Sequence, residues 1–524
     1  MNQQRRFPIG IQTFEDIIQG DYAYVDKTRQ VYNLANFGKC FFLSRPRRFG
    51  KSLLVSTLDA YFRGQKELFK GLAIEKLETK WDQYPVLWLD LNNDNYEDVG
   101  VLKSVLNWNL CEWEKLYGSS PTEDTFALRF GGIIDRAVEK TGKPVVILID
   151  EYDKPLTETI DNDELNAQMR AILRGFYATL KSRDRRIRFA LLTGVSKFSH
   201  VTIFSGLNNL IDISMVMEFA DICGISEQEL HDNFDADVQR LADANNITRE
   251  QAFEKLRDNY DGYHFVPGGA GIYNPFSLMN VLEFCDFKDY WFSTGTPSFL
   301  VKVLQRDNFD LVELNEEISA RAADLSNIDT HTDPIAVMYQ SGYLTIKDYN
   351  PERKVYRLGF PNGEVKRGFN ESLVTLCITQ YNTMQRNNLS DRLYDAVAAG
   401  DVENMMTIFK QVFGSTPCHI KKDMDLEVHY RNTIYLMLIM CGHHAQVEKF
   451  TATGRMDVTI ESKDYVYVLE LKRGTTDEAA EQIEDRRYLD AYAADKRKVI
   501  ALAVALNDNT HNIGNWRQVD ASAL

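Results

Sequence analysis

The chain lacks the marks of a secreted or membrane-bound protein. Its seven cysteines are odd in number, scattered and without a Cys-x-x-Cys pair, which argues against a disulfide framework and against a zinc site. The first residues are polar and lead into no apolar segment like that of a signal peptide, and no uninterrupted apolar run is long enough to cross a bilayer. These absences predict a cytoplasmic protein in a reducing compartment, with no membrane partner.

The sequence also lacks an excess of positive charge. Its 60 lysines and arginines are outnumbered by 76 aspartates and glutamates, and the net charge of −16 argues against a nonspecific coat on nucleic acid. Basic residues do cluster at 45–51, 181–188 and 496–498, and each cluster is either a local contact to phosphate or nucleic acid or an ordinary solvated surface. No internal repeat or low-complexity tract is present, and 524 residues predict several folded cores.

Residues 40–62, CFFLSRPRRFGKSLLVSTLDAYF, place a Gly-Lys-Ser sequence between a short apolar strand and a helix. This is the second half of a phosphate-binding loop, in which Lys51 would reach the β and γ phosphates and the Ser52 hydroxyl would bind Mg²⁺. Backbone N–H groups of the loop and of the helix N-terminus would hold phosphate oxygens. The full pattern has a glycine five residues before Gly50, where this sequence has Arg45. The candidate nucleotide-binding residues here are Arg48, Phe49, Gly50, Lys51, Ser52 and Leu53.

An acidic motif follows a second buried strand. Residues 145–150, VVILID, form a continuous apolar run that ends in Asp150, and Glu151 comes next. Asp150 would hold Mg²⁺ through water, and Glu151 is placed to activate the hydrolytic water. The alternative is a core strand whose carboxylates only begin the next helix, and the upstream Gly-Lys-Ser sequence favours the nucleotide site.

Two more apolar strands are predicted, PVLWLDL at 85–91 and RFALLTG at 188–194. Strands separated by helical segments indicate a parallel sheet. An extra strand between the lysine and the acidic motif resembles the AAA-like and RecA-like branch of the P-loop ATPases. That resemblance implies that a polar residue at the end of the next strand, Thr193 or Ser196, senses the γ phosphate, while a plain capping role for Thr193 stays open.

A strand hairpin near the C-terminus carries three charged groups. GRMDVTI and VYVLELK are both strand-like, and 461–464 makes the turn, so Asp457 and Glu470 come to one cleft. Two carboxylates and the Leu471 carbonyl suit a hard cation such as Mg²⁺ or Mn²⁺, which lowers the pKa of a bound water. Lys472 shares the face of Glu470 and would position that water. A Glu-x-Lys sequence is common by chance, however, and is then a solvated face.

The surroundings of the hairpin give the order α-β-β-β-α-β, with helices at 430–441 and 477–494 and a last strand at 498–506. That order, with these residues, resembles the PD-(D/E)XK nuclease superfamily. The resemblance implies that Asp457 is the motif aspartate, that Glu470 and Lys472 form the (D/E)XK pair, and that Glu448 is an additional acidic ligand. Met456 stands where the motif has proline, and Gln482 with Tyr488 gives only an approximate Gln-xxx-Tyr signature.

Further motifs run along the chain: FLSRPRRFGKS, LIDEYDKP, LLTGVSKFSHVTIFSGLNNL, NYDGYHF and YQSGYLTI. Together they resemble the bacterial predicted AAA-ATPase family, whose members often carry a C-terminal PD-(D/E)XK domain. The resemblance covers nearly the whole chain. It implies an ATPase and a magnesium-dependent nuclease.

The expected fold class is α/β throughout. The predicted divisions are a P-loop AAA-like core at 1–225, a helical lid at 226–306, a connector with a winged-helix-like module at 307–370, a helical linker at 371–425 and a restriction-endonuclease-like domain at 426–524. The winged-helix-like module would either read DNA or pack domains together.

The expected function is metal-dependent phosphodiester cleavage controlled or powered by ATP binding or hydrolysis. The expected partners are ATP and nucleic acid, DNA rather than RNA, and a homo-oligomer is compatible with the sequence. The alternative is a nucleotide-dependent switch or scaffold, in which the missing first glycine has slowed turnover and the nuclease-like domain binds without cleaving.

Overall fold

The computed structural model describes residues 6–92, 94–197, 209–291, 300, 318–326, 334–377, 383–415, 426–441, 444–450, 454–507 and 509–519. The chain divides into two compact units, Met1–Leu304 with Glu317–Lys366, and Gln305–Glu316 with Arg367–Leu524. The finer division into five segments stays a prediction. Among the described helices, none combines the length and the apolar character that a membrane span requires.

The first unit is built on a parallel sheet of five strands in the order β2-β3-β4-β1-β5. The strands are β1 Cys40–Ser44, β2 Val86–Asp90, β3 Val145–Asp150, β4 Ile187–Gly194 and β5 Leu210–Asp212. All residues of β3 are buried, as expected for a central parallel strand covered on both faces. The predicted parallel sheet is confirmed, and the carboxyl ends of β1, β3 and β4 meet at one edge, where such sheets bind ligands.

Helices connect these strands, and side-chain caps fix where several of them begin. The Asp98 carboxylate accepts from the N–H groups of Gly100 and Val101, and the Asn162 side chain accepts from Leu165 N. The helices of this part are Phe14–Gln19, Thr28–Phe37, Lys51–Phe62, Val99–Tyr117, Phe126–Thr141, Lys154–Thr157 and Asp163–Ser182.

Three further helices form the lid-like part of this unit: Glu227–Ala244, Arg249–Tyr260 and Pro275–Phe284. Their apolar faces share one core with Phe7 and Val25 from the N-terminal segment. The first two begin with capping boxes, at Ser226 and at Thr248. These caps explain why the predicted helical segment at 226–257 is two helices. A two-stranded ladder of β6 Ile225–Ser226 and β7 Ile272–Tyr273 joins the lid-like part together.

The winged-helix-like module, defined here as residues 318–326 and 334–359, completes the first unit. It contains β8 Ile318–Arg321, the helices Ala322–Ser326 and Pro334–Ser341, and the hairpin β9 Thr345–Asn350 and β10 Val355–Gly359. The antiparallel order is β8-β10-β9. The winged-helix-like character of the connector predicted at 307–370 stays a prediction, with which this helix and hairpin are compatible. Its residues 307–317 and 327–333 lie outside the described residues.

The second unit begins within the helix Gly363–Cys377, which contains the boundary between the units. Three more helices follow: Thr383–Ala399, Val402–Ser415 and Leu426–Met440. A five-stranded mixed sheet has the order β11-β12-β13-β14-β15, in which β13 and β14 are parallel and the other pairs antiparallel. The strands are β11 His444–Phe450, β12 Arg455–Glu461, β13 Tyr465–Arg473, β14 Lys498–Asn507 and β15 Asn512–Val519.

The predicted α-β-β-β-α-β order is present, with two differences. The helix after β13 spans only Thr476–Asp485, because Arg487 adopts a left-handed φ of 49° and the chain continues as the short 3-10 helix Tyr488–Tyr492. The strand β15 was not predicted. It lies at the sheet edge and its sequence, NIGNWRQV, is largely polar and partly exposed, so it has no clear apolar alternation.

Candidate functional sites

The loop at 45–50 carries the chain from β1 into the helix Lys51–Phe62. Gly50 directly precedes the helix with φ 89°, a left-handed conformation that glycine adopts without a Cβ penalty. The N–H groups at this helix N-terminus have no partner within the helix and favour an anion. Arg48, Phe49, Gly50, Lys51, Ser52 and Leu53, all predicted to bind nucleotide, line a cavity of about 450 Å³.

The Lys51 side chain is buried inside this loop. Its Nζ atom lies 3.1 Å from the carbonyl oxygen of Arg45 and 3.3 Å from that of Pro46. Nζ is also 3.3 Å from Oε1 of Glu151. The structure therefore brings together the lysine predicted to bind phosphate and the carboxylate predicted to activate water.

Arg45, at the position of the missing first glycine, is 1% exposed. Its guanidinium donates to the carbonyl oxygens of Ser44 and Ser214 at 2.9 Å each and of Phe219 at 3.0 Å, and it stacks 4.0 Å from the ring centre of Phe265. Burial lowers the pKa of Arg45 to about 10, so the side chain stays charged at neutral pH. Within the basic cluster at 45–51, Arg45 therefore contacts protein carbonyl groups. These hydrogen bonds connect the loop to the segment after β5.

The acidic motif stands at the end of β3. The Thr193 hydroxyl donates to Oδ1 of Asp150 at 2.5 Å, and both side chains are buried. Burial and then the Glu151 charge raise the pKa of Asp150, while hydroxyl hydrogen bonds from Thr193 and Ser52 oppose the rise. Glu151 lines the cavity, with a left-handed φ of 52°, whereas Asp150 and Thr193 lie behind its wall.

Asp153 is a site residue to which the sequence reasoning assigned no role. Its buried carboxylate accepts from Val195 N at 3.2 Å, from Ser196 N at 2.7 Å and from the Ser196 hydroxyl at 2.6 Å. Burial and then the Glu151 charge raise the pKa of Asp153 to about 6. The predicted alternative sensor, Ser196, is thereby fixed to the turn that carries Glu151. In the sequence, the feature that could have indicated Asp153 is the second aspartate of LIDEYDKP.

The cavity extends well beyond the phosphate loop. One wall comes from residues 8–12 and another from 222–225, and the lid helix Pro275–Phe284 contributes Phe276 and Met279. Its volume of about 450 Å³ falls within the size range of small-molecule and cofactor sites. Apolar walls beside the buried Lys51 ammonium suit a ligand that has a flat apolar part and an anionic part.

A second candidate site lies between β12 and β13. Asp457 is on β12, and its Oδ2 accepts from Leu471 N at 2.8 Å. The Glu470 side chain has 0% exposure, and both of its oxygens are buried without a hydrogen-bond partner in the described part of the chain. Lys472 Nζ is 3.5 Å from Glu470 Oε1. Burial and then the Asp457 charge raise the pKa of Glu470 to about 8, against the effect of Lys472.

The donor set fits a divalent cation. Carboxylate oxygens that lack partners in a buried site are stabilised by a metal, and Mg²⁺ and Mn²⁺ prefer such hard oxygen ligands. Glu448 lies on β11 between residues that pair with Val458 and Met456, so the register puts position 448 opposite Asp457. Its side chain is outside the described residues, and within them no third His, Cys, Asp or Glu joins the two carboxylates.

Gln482 and Tyr488 also come to this site. Gln482 Nε2 donates to the Tyr488 hydroxyl at 3.1 Å, and that hydroxyl donates to the Arg455 carbonyl at 2.6 Å. Burial, with the charges of Glu470 and Asp457, raises the pKa of Tyr488. Gln482 and Tyr488 are six residues apart, not four as in a Gln-xxx-Tyr signature. The helix ends between them, at Asp485.

Some arginines of the two remaining basic clusters form ion pairs with acidic neighbours. Arg183 and Arg186 each lie 3.0 Å from Asp135. Arg497 lies 2.6 Å from Asp495 and 3.1 Å from Glu461. For these arginines the ordinary surface reading is favoured over a nucleic-acid contact.

Two family models match the chain. One, described as predicted AAA-ATPase, matches residues 8–204, and one described as PD-(D/E)XK nuclease superfamily matches residues 425–516. A similar protein from Azotobacter chroococcum mcd 1, named "Uncharacterized protein in vnfD 5'region", is 34% identical over 525 residues, which cover 97% of this chain and 98% of that protein. An ATPase-like and a nuclease-like domain are therefore present, and the similarity runs through both units.

Arg45→Ala should destabilise the first unit by at least about 3 kcal/mol, because it leaves buried carbonyl groups without their donor. Urea unfolding followed by tyrosine and tryptophan fluorescence measures this. The control is Arg63→Ala, which removes an exposed ion pair with Asp59 at 2.7 Å and should cost less than about 1 kcal/mol. Equal losses for the two variants would contradict a structural role for Arg45.

Glu470→Gln should stabilise the metal-free protein at alkaline pH and change little in acid. The folded pKa of about 8 exceeds the ordinary 4.5, so wild-type stability is fully present below the ordinary value and falls as pH rises toward the folded one. Each unit of this difference is worth about 1.4 kcal/mol. Urea unfolding in EDTA at about pH 5 and about pH 8.5 tests this. The control is Glu461→Gln, and a pH-independent effect of Glu470→Gln would count against the raised pKa.

Proposed function

Because this chain belongs to the predicted AAA-ATPase family and carries a PD-(D/E)XK nuclease superfamily domain, we propose that it is an ATP-controlled, metal-dependent nuclease. ATP binds in the cavity beside Lys51, and phosphodiester bonds of nucleic acid, DNA rather than RNA, are cleaved at Asp457 and Glu470. The observation that carries the proposal is the buried Glu470 carboxylate, which has no hydrogen-bond partner among the described residues and lies beside Asp457 and Lys472.

In the ATP site, each residue has a role that its position supports. The N–H groups from Gly50 to Leu53 hold phosphate oxygens at the helix N-terminus. Lys51 exchanges the carbonyl groups of Arg45 and Pro46 for the β and γ phosphates. The purine lies against the apolar walls formed by residues 8–12 and 222–225.

Hydrolysis depends on Glu151. The ion pair between Lys51 and Glu151 must open when the lysine turns to phosphate, and this frees the carboxylate to take a proton from water. The Ser52 hydroxyl would bind Mg²⁺ and Asp150 would hold it through water, and this cation would neutralise charge on the phosphates. Thr193 keeps Asp150 oriented, and Asp153 keeps the turn of Glu151 fixed to Ser196.

In the nuclease site, Asp457, Glu470 and the Leu471 carbonyl would hold a divalent cation, with Glu448 as a further ligand. Such a cation would supply a water of lowered pKa and stabilise charge on the scissile phosphate. Lys472 orients that water, since its Nζ is next to Glu470 and its side chain reaches solvent. Tyr488 borders the site through its link with Gln482 and fixes the strand at Arg455.

A second candidate function is a nucleotide-dependent switch with slow hydrolysis. Two observations favour it: Arg45 fills the first glycine position, and Glu151 lies 3.3 Å from Lys51 Nζ. Both functions share nucleotide binding and differ in turnover. The decisive measurement is cleavage of single- and double-stranded DNA and RNA with Mg²⁺, with and without ATP.

Lys51→Ala should weaken binding of ATP with Mg²⁺ by roughly a hundredfold, because a charge-assisted contact to phosphate is lost. Glu151→Gln should keep binding and lose hydrolysis, because the amide cannot accept the proton from water. Titration calorimetry and phosphate release measure the two effects. The control is Lys66→Ala on an exposed 3-10 helix. Unchanged affinity in Lys51→Ala would reject the nucleotide site, and lost binding in Glu151→Gln would make Glu151 structural.

Asp457→Asn should remove the thermal stabilisation that Mg²⁺ or Mn²⁺ gives the protein, together with cleavage. Lys472→Ala should leave the metal-induced shift in Tm nearly intact and remove cleavage, because Lys472 acts on water and not on the cation. Differential scanning calorimetry and gel assays on labelled substrates separate the two effects. The control is Lys463→Ala in the exposed turn before β13. Undiminished cleavage by Asp457→Asn would exclude this site as the nuclease centre.

A further inference from the structure

The winged-helix-like module does not present its second helix for DNA reading. In DNA-binding modules of this type, side chains of that helix reach base edges in the major groove. Here the helix Pro334–Ser341 has no exposed residue, and its buried residues are Pro334, Ala336, Val337, Met338, Gln340 and Ser341. A helix covered on all sides cannot enter a groove unless the module first leaves its place.

Gln340 joins this helix to the loop after β4. Its side chain is 5% exposed, and its Oε1 accepts from Lys197 N at 2.5 Å while its Nε2 donates to the Leu325 carbonyl at 2.6 Å. Lys197 directly follows Ser196, whose hydroxyl is held by Asp153. The module is thus hydrogen bonded, at Lys197, to the loop after β4. Asp153, next to the acidic motif of the candidate ATP site, holds that same loop at Ser196.

Gly342, just after the helix, rests on the phosphate loop. Its φ is 91°, and a Cβ placed there would lie 2.6 Å from Cβ of Pro46. Pro46 is the residue whose carbonyl oxygen holds Lys51 Nζ at 3.3 Å. Backbone conformation and close approach therefore both require glycine at this position.

The module also lines the cavity itself. Ser341 and Tyr343 contribute to the wall, with Trp291 beside them. The rings of Tyr343 and Trp291 lie 5.2 Å apart, and Trp291 Nε1 donates to the carbonyl oxygen of Arg47 at 3.4 Å. Two segments of the phosphate loop, at Pro46 and at Arg47, thus have partners around this module.

We propose that the winged-helix-like module is a wall of the nucleotide cavity that responds to its occupancy, and that it does not read DNA. The proposal rests on the nucleotide binding proposed above. When Lys51 turns to phosphate, the Pro46 carbonyl loses its ammonium partner and the surface under Gly342 changes. A ligand shifts the equilibrium between the docked and undocked module only if it interacts differently with the two. Ser341 and Tyr343 line the cavity, so a bound nucleotide would contact them in the docked arrangement.

Hydrogen exchange over residues 334–346, followed by mass spectrometry, tests this in the full chain. Addition of ATP with Mg²⁺ should change exchange in this segment by about tenfold or more in wild type. Gly342→Ala should raise exchange without nucleotide and abolish the response, while ATP still binds. The matched control is Gly268→Ala, which has a φ of 70° and no neighbour within 4 Å of the added Cβ, so it adds backbone strain without disturbing the docked surface.

The outcomes separate this inference from the proposed function. ATP binding with unchanged exchange at 334–346 overturns the inference and leaves the ATP site standing. Absence of any ATP binding overturns both. Duplex DNA that protects 334–341 from exchange identifies a DNA reader and also overturns the inference. If Gly342→Ala does not fold, Gln340→Met removes both hydrogen bonds at similar volume and should give the same loss of response.

Discussion

The first unit depends on the burial of the Lys51 ammonium inside its own loop. A buried cation without partners costs several kcal/mol, so the loop must turn its carbonyl groups inward and bring Glu151 close. That path requires left-handed backbone at Arg48 and Gly50, with φ 70° and 89°. Arg45 then anchors the start of the loop through three carbonyl groups. A phosphate group at this loop would therefore compete with the Arg45 and Pro46 carbonyl groups and with Glu151 for the Lys51 ammonium.

The second unit has the opposite electrostatic arrangement. Glu470 is buried beside Asp457 with Lys472 at 3.5 Å as the nearby cation, and the raised pKa of Glu470 means that the folded protein favours the protonated form. A divalent cation would compensate the Asp457 charge and allow Glu470 to ionise. Among the described residues, the phosphate loop pairs Lys51 with Glu151, whereas the hairpin site places Lys472 beside two carboxyl groups. This difference explains why metal should change the stability of the two units to different extents.

Much of the fold was predictable where the sequence has strong periodicity. β1 and β3 are apolar strands that lead into the candidate ATP site, and the hairpin of β12 and β13 carries the candidate metal ligands, so the sequence predicts both candidate sites. The strands β5, β8 and β15 were missed because they are short or polar edge strands. The contacts of Asp153 and of Gln482 with Tyr488 depend on turns whose dihedral angles a pattern does not specify. The sequence shows Arg45 as a departure from the loop pattern, but two of its carbonyl partners, Ser214 and Phe219, lie 169 and 174 residues away in sequence.

The walls of the cavity come from distant parts of the chain, and single polar contacts hold them together. Lys27, beside the N-terminal wall, lies 2.6 Å from Glu229 of the lid, 202 residues away in sequence. Gln340 likewise links the winged-helix-like module to the loop after β4, through its hydrogen bond with Lys197 N. Because each contact is short and at least partly buried, one wall cannot move far without breaking it. A ligand that touches all the walls therefore stabilises the whole unit and not only the phosphate loop. The reason is that a ligand lowers the free energy of the arrangement that binds it, relative to arrangements in which the walls are apart.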